Sequence, residues 1–499
     1  MANITIEWHK ADESISGLVT DEKHEITVKR EAIPIIFVPG IMGSRLRLSG
    51  KVNDNEIENG LDTLRWDPGA TRFTLTHYFG ASAKHRKAML IGKQFYPDYL
   101  EVANADGDGW QGIFSDYFSI LNKLKNNDWG ELNKIFTFPV YAFGYNWTDS
   151  NDSSGQKLAE RIVAIKDEAK SVVGACQKVI LITHSMGGLV ARSASKLHGA
   201  ESNILGIIHG VQPAYGSAAA YWRMKAGFDG GLLFPWILAH TLGPSGKDVT
   251  AVIGNSIGGL ELLPSKSYRT NDGAIPWLKI SDGDKEIRSL PNGDPYSSIY
   301  SVQAVVKPPE GSGPNDNKYW GLIDPELLTP ELPQADLDHN DLNYKMQQMK
   351  VKDYDWENYI SKLGQAETFH DNLDDYIHPK TWRFHGNGLD TSESVKFKVE
   401  SNGRQSESYP SQGFRGFFRD ADGTSKQAVL QNPDGKGDGT VPVSSATFLG
   451  TGHNSPDDPA NHEFDPLEHS KAYNNAEVQR WVICAVKALC KIRYQDMHG

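Results

Sequence analysis

Three cysteines in 499 residues (Cys176, Cys484 and Cys490) are too few for a disulfide framework, and their spacing is not that of a metal site. They read as core thiols, and neither a metal nor a cofactor is expected. Positive charge is also scarce. With 51 Lys and Arg against 63 Asp and Glu the formal charge is −12, and no basic cluster stands out, which argues against nucleic acid as a partner. Long apolar runs are missing as well. The longest, "GLLFPWILAH" from Gly231, is broken by Pro235 and falls short of the roughly 20 residues of a membrane span, so it reads as a core helix or as a surface patch that touches lipid. The first residues, "MANITIEWHKADES", lack the basic start and apolar stretch of a secretory signal. A soluble protein is expected, cytoplasmic or exported without that kind of signal. What is abundant points to a folded chain: 39% apolar residues, with 19 Phe, 19 Tyr and 12 Trp, can bury a large core.

The clearest local pattern is "KVILITHSMGGLVARSAS", Lys178 to Ser195. Val179 to Ile182 is a short β-branched run of the kind found in buried strands, and Leu189, Val190, Ala194 and Leu197 recur at helical spacing beyond the glycines. Between them lies a tight turn with Ser185 at its corner. A strand that turns sharply into a helix holds its corner side chain above the carboxyl edge of a parallel sheet, where a nucleophile can sit. Gly187 and Gly188 remove side chains where the helix must pass close to the strand, whereas Thr183 occupies the first glycine position of G-x-S-x-G. A serine that only caps a helix is the plainer alternative.

Around this turn the order is strand, helix, strand. "IPIIFVPG" (Ile33 to Gly40) and "KIFTFPVYAFGYNW" (Lys134 to Trp147) each contain an apolar strand. Leu158, Ile162, Ile165, Ala169 and Val172 form the stripe of an amphipathic helix, and "NILGIIHGV" (Asn203 to Val211) supplies the next strand. Such alternation implies an α/β fold with a mostly parallel sheet and helices on both faces. From 212 to 379 the alternation is lost, and it resumes at "TWRFHGNG" (Thr381 to Gly388). The chain therefore divides into an N-terminal extension (1–30), a first core part (31–211), an inserted cap or lid (212–379) and a second core part (380–499). Within the insertion, "PPEGSGPNDNK" (Pro308 to Lys318) reads as a loop.

A serine hydroxyl attacks only when an imidazole takes its proton, and the imidazole is oriented by a carboxylate. In this topology the acid and then the histidine follow the serine. Asp438, between glycines in "GKGDGTVPVSSA", is the leading acid and Asp434 the reserve; a calcium loop and a plain glycine turn are the other readings of "NPDGKGDGT". Of His453, His462, His469 and His498, the best placed is His469, on the loop before a last helix carrying Val478, Trp481, Val482, Ala485 and Leu489. His462 reads as a surface residue. Two amides must meet the oxyanion: that of Met186, next to the serine, and one from "VPGIMGS", where Ile41 is the candidate.

Taken together, "IIFVPGIMGSRL", "DGDGWQGIFSDYFSILNKL", "YAFGYNW", "ITHSMGGLVAR", "HPKTWRFHGNG", "GDGTVPVSSA" and "EHSKAYNNAEVQRWV" resemble the lecithin:cholesterol acyltransferase-like lipases. The resemblance covers residues 31–210 and 380–495, and that family often reads H-S-M-G without the first glycine. It implies an α/β-hydrolase fold and a triad of Ser185, Asp438 and His469. It also implies oxyanion donors at Ile41 and Met186, a nucleophile turn with His184, Gly187 and Gly188, and fatty-acyl esters, commonly phospholipids, as substrates. "HGVQPAYGSAAAYWRMKAGFDG" and "GGLELLPSKSY" are similar to bacterial lipases associated with type VI secretion. This implies signal-independent export, peripheral membrane contact through the cap, and an immunity or secretion-apparatus protein as partner. A lipid acyltransferase with the same residues, and a binding protein on an inactive hydrolase fold, are the rival readings.

Overall fold

The computed structural model describes residues 2–6, 24–28, 30–49, 64–67, 71–91, 100–103, 110, 112–228, 242–301, 320–323, 325–330, 342–401, 415–419, 425–431, 435–447 and 460–498. The apolar run from Gly231, the loop from Pro308, and Asp434 and His453 lie outside them. The centre is a six-stranded sheet built from β1 (Ile35–Val38), β2 (Val140–Ala142), β3 (Val179–His184), β4 (Ile204–Gly210), β7 (Thr381–Gly386) and β11 (Asn461–Phe464). Their order across the sheet is β11-β7-β4-β3-β1-β2. Every pairing is parallel, so all six strands deliver their carboxyl ends to one edge. β3 and β4 are buried at every position, as the continuous apolar runs of a parallel sheet covered on both faces require.

Helices α1 (Asn151–Val173) and α2 (Gly187–Lys196) cover one face, with Leu158, Ile162, Ile165, Leu189 and Val190 in one core cluster with Leu181 and Ile207. The last helix, α6 (Ala476–His498), covers the other, where Val478, Val482, Val486 and Leu489 pack with Ile180, Ile182 and Ile208. The expected stripe of α1 needs one correction: Val172 is 80% exposed. Four-residue steps from Ile165 lead through Ala169 to Val173, and it is Val173 that packs against Ala32 and Cys176.

The segment 212–379 contributes α3 (Ala218–Ala226), α4 (Gly246–Ile253), strands β5 (Leu278–Asp282) and β6 (Lys285–Leu290), and the long α5 (Leu342–Leu373). A second, five-stranded sheet runs β6-β5-β8-β10-β9, with β8 at Val395–Ser401, β9 at Arg415–Arg419 and β10 at Ser425–Leu430. β5 pairs parallel with β8. The boundary expected at 379/380 therefore does not divide this sheet, which draws strands from both sides of it. Among the described residues no helix is long and apolar enough to cross a membrane.

Candidate active site

Ser185 follows directly on β3 with φ of 52°, a left-handed conformation unusual for a residue with a Cβ. Two hydrogen bonds hold the turn: the Ser185 amide donates to Gly210 O (2.9 Å), and Ser185 O accepts from the Gly188 amide (2.9 Å). The glycines have concrete reasons. A Cβ on Gly187 would lie 2.4 Å from Pro39 O and 2.5 Å from Val38 O, and one on Gly188 would lie 2.5 Å from the Gln212 side chain. Only without a side chain at Gly187 can α2 start against the end of β1, and only without one at Gly188 can it pass the Gln212 side chain. The plain capping reading fails, because Met186 is the N-cap of α2 and no side chain caps it.

His469 opens a short 3₁₀ turn just before α6. Its Nε2 lies 3.0 Å from Ser185 Oγ and its Nδ1 lies 2.7 Å from Asp438 Oδ2. A carboxylate oxygen accepts, so Nδ1 carries the proton and the bare Nε2 faces the serine hydroxyl. The second carboxylate oxygen accepts from the amides of Thr440 (2.9 Å) and Val441 (2.7 Å), and the His469 amide donates to Asp438 O (3.0 Å). Asp438 is 2% exposed, and both of its oxygens accept hydrogen bonds from the chain's own donors.

His184 is buried and does not point to solvent. Its Nδ1 lies 2.8 Å from the Tyr117 hydroxyl and its Nε2 lies 2.9 Å from His469 O. Burial, reinforced by the neighbouring His469 ring, pushes its pKa down to about 3, so the ring is neutral. Burial pushes the Tyr117 phenol the other way, upward, and it keeps its proton. Ile41 and Met186 flank the serine from the β1 loop and from α2, and among the described residues neither amide is given to another acceptor.

Ser185, though 4% exposed, borders a cavity of about 120 Å³ together with His469, Ile41 and Met42. Phe114, Met224, Phe228, Val249 and Ile253 make much of its wall apolar, with Arg223 and Asp116 as its charged residues. The structure thus brings Ser185, His469 and Asp438 together with Ile41, Met186, His184, Gly187 and Gly188. It leaves His462 elsewhere, on β11, stacked on Trp481 at 6.1 Å, and His498 at the end of α6. Sequence reasoning missed Tyr117 and the clamp on the acid loop. Ser217 Oγ donates to Thr440 O (2.7 Å), Arg223 donates to Thr440 Oγ1 (3.0 Å), and Ser445 Oγ donates to Gly216 O (2.6 Å). No periodic pattern marks such residues, which meet across 67 to 229 positions.

No protein-family model matches the chain, and neither does any curated protein. Among solved structures, a chain from the crystal structure of the Tle4–Tli4 complex superimposes with a TM-score of 0.65 at 22% identity, covering 93% of this chain and 99% of that one. The two share a fold. Phospholipase PlaB from Legionella pneumophila aligns at 12% identity with a TM-score of 0.21, over 65% of this chain and 78% of that one, a likeness too slight to bear on the fold.

Proposed function

We propose that the chain is a serine lipase of the α/β-hydrolase kind that cleaves fatty-acyl esters of membrane glycerophospholipids through an acyl-serine intermediate. The observation that carries this reading is the hydrogen-bonded line Asp438–His469–Ser185 ending at a largely apolar cavity. His469 Nε2 takes the Ser185 proton as Oγ attacks the ester carbonyl. The amides of Ile41 and Met186 hold the oxyanion, and the imidazolium then gives its proton to the departing alcohol. Water repeats the sequence on the acyl-serine. Asp438 orients the ring and stabilises its charged form without taking the proton.

Residues 212–379 act as the cap in this reading, since α3 and α4 furnish Met224, Val249 and Ile253 to the cavity wall, a lining suited to an acyl chain and to contact with a membrane surface. The effector role, with signal-independent export and an immunity protein as partner, rests on the sequence resemblance and on a shared fold with a chain solved in the Tle4–Tli4 complex.

The test is mass spectrometry of phosphatidylethanolamine and phosphatidylglycerol vesicles with distinguishable acyl chains, incubated with parent protein and with Ser185→Ala. Release of fatty acid by the parent, reduced on the order of 10⁶-fold in the variant, is expected. Residual activity within tenfold of the parent would reject Ser185 as the nucleophile.

A further inference from the structure

One hydrogen-bonded chain runs along the wall of the cavity, which Tyr117 and His184 help to line, and joins three loops. The Gly40 amide donates to the Tyr117 hydroxyl oxygen (3.3 Å), that hydroxyl lies 2.8 Å from His184 Nδ1, and His184 Nε2 lies 2.9 Å from the main-chain oxygen of His469. Only one arrangement of protons satisfies all of it. The His469 carbonyl can only accept, so His184 Nε2 bears the hydrogen; the neutral ring then has a bare Nδ1, which accepts the Tyr117 proton and leaves the phenol oxygen to accept from Gly40. In the opposite tautomer two N–H groups would point at one hydroxyl, and a nitrogen lone pair would face a carbonyl oxygen.

From this geometry we infer that Tyr117 and His184 are positioning residues that lock the oxyanion loop and the His469 loop to the nucleophile turn through a single directional chain. The inference rests on the esterase reading of Ser185. At one end the Gly40 amide is held by Tyr117, and Gly40 O accepts from the Gly43 amide (3.0 Å). Gly40 O and the Ile41 N–H belong to one planar trans peptide and point in opposite directions, so fixing the first aims the second. At the other end both sides of the His469 main chain are pinned, its amide by Asp438 O (3.0 Å) and its oxygen by His184 Nε2 (2.9 Å). The imidazole between them is left with little freedom except at its bonds to Asp438 and Ser185.

The chain has no slack. A Cβ on Gly40 would lie 2.8 Å from His184 Nδ1, and Tyr117 is wedged by Phe37 at a ring distance of 4.9 Å. Tyr473 packs edge-on against Phe37 at 5.1 Å and donates to Thr183 O (2.7 Å), just before the turn. The His184 and His469 rings are 5.1 Å apart. A neutral His184 therefore leaves His469 as the one ring of the two that charges during turnover, and the relay directs without competing for the proton.

Tyr117→Phe keeps the ring and deletes the hydroxyl. On a soluble ester it is expected to lower kcat by about 10–100-fold, the scale of losses from slight misplacement of reacting groups, with KM unchanged. His184→Gln, which retains an amide donor for His469 O, is expected to keep more activity than His184→Ala. The double variant Tyr117→Phe/His184→Gln should be no worse than the poorer single one, because the two residues act as a unit. Independently of activity, NMR of ¹⁵N-histidine-labelled parent protein should find His184 protonated at Nε2 and bare at Nδ1. A fluorophosphonate that labels Ser185 while Tyr117→Phe retains the parent kcat overturns the relay alone, as does the opposite tautomer or a multiplicative loss in the double variant. A parent protein that fails to label at Ser185 overturns the esterase reading, and the positioning role with it.

Discussion

Replacing Asp438 by Asn tests the chemistry of the site with almost no change of shape. One carboxylate oxygen accepts from His469 Nδ1 at 2.7 Å, and the other accepts from the amides of Thr440 and Val441 at 2.9 and 2.7 Å. An Asn side chain must put its NH₂ on one of these two sides. Facing Thr440 and Val441, it would set a donor against two donors and leave both amides unsatisfied, at about 1–3 kcal/mol each. Facing His469, it keeps both of those bonds but requires Nδ1 to accept. His469 then carries its proton on Nε2, against the Ser185 hydroxyl, and is no longer a base. The useful arrangement is thus disfavoured by about 2–6 kcal/mol, which at ~1.4 kcal/mol per decade is on the order of 10–10⁴ in kcat, with the loss above tenfold throughout. The assay is initial-rate hydrolysis of a p-nitrophenyl ester by parent and variant at neutral pH, with thermal unfolding recorded alongside. A folded Asp438→Asn protein within tenfold of the parent kcat would refute the tautomer argument and the role given to Asp438.

Gly187→Ala places a methyl group 2.4 Å from Pro39 O, so it should cost about 1–3 kcal/mol in thermal stability and on the order of 10²-fold in ester hydrolysis as the Ile41 loop is displaced. Gly364→Ala is the counterpart on the exposed side of α5, where a Cβ meets nothing within 4 Å; it should raise stability by about 0.5–1 kcal/mol and leave kcat alone, and a destabilised Gly364→Ala would contradict that open space. Glu261 is fully buried, accepts from the Asn151 amide (2.7 Å) and Ser150 Oγ (3.0 Å), and has its carboxyl pushed by burial from the ordinary 4.5 up to about 8. The folded state keeps this proton where the unfolded chain releases it, so the stabilisation is complete below pH 4.5 and is lost as pH rises to about 8, by about 4–5 kcal/mol at ~1.4 kcal/mol per pH unit. Melting curves of parent and Glu261→Gln between pH 5 and 8 should diverge accordingly; parallel curves would refute the buried, protonated carboxyl.

The central sheet and the Ser185–His469–Asp438 line were readable because their signals are local. Val179 to His184 is one apolar run closed by a turn, and of the two glycines after Ser185 the first stands where a Cβ would meet the Val38 and Pro39 carbonyls and the second where it would meet the Gln212 side chain. Asp438 and His469 each sit where a loop precedes a recognisable element, and the expected order along the chain brought them to the serine. Tyr117 carries no such mark. It lies in a short 3₁₀ turn, and its role comes from partners at Gly40 and His184. The second sheet had half a signal. Val395, Phe397 and Val399 are buried and alternate with Lys396, Lys398 and Glu400, as a half-buried strand should. Its parallel partner, Leu278–Asp282, is more than a hundred residues away, a pairing that periodicity cannot supply.

That long-range pairing changes how the segment 212–379 bears on the site. A freely hinged lid would touch the core through few bonds, yet Ser217 and Arg223 grip Thr440, two residues from Asp438, and Gly216 accepts from Ser445. β5 and β6 share a sheet with β8, β9 and β10, the last of which ends eight residues before Asp438. Swinging α3 away from the cavity would therefore have to break these bonds or drag the acid loop with it. α4 contacts the cavity through Val249 and Ile253 and packs on α3, on the helix Ala83–Leu90 and on the helix Pro325–Leu328, and its Thr250 Oγ1 donates to Met224 O in α3 (3.1 Å). α3 is consequently part of the frame that keeps the carboxylate on His469, and α4, bonded to α3, is coupled to that frame rather than free of it.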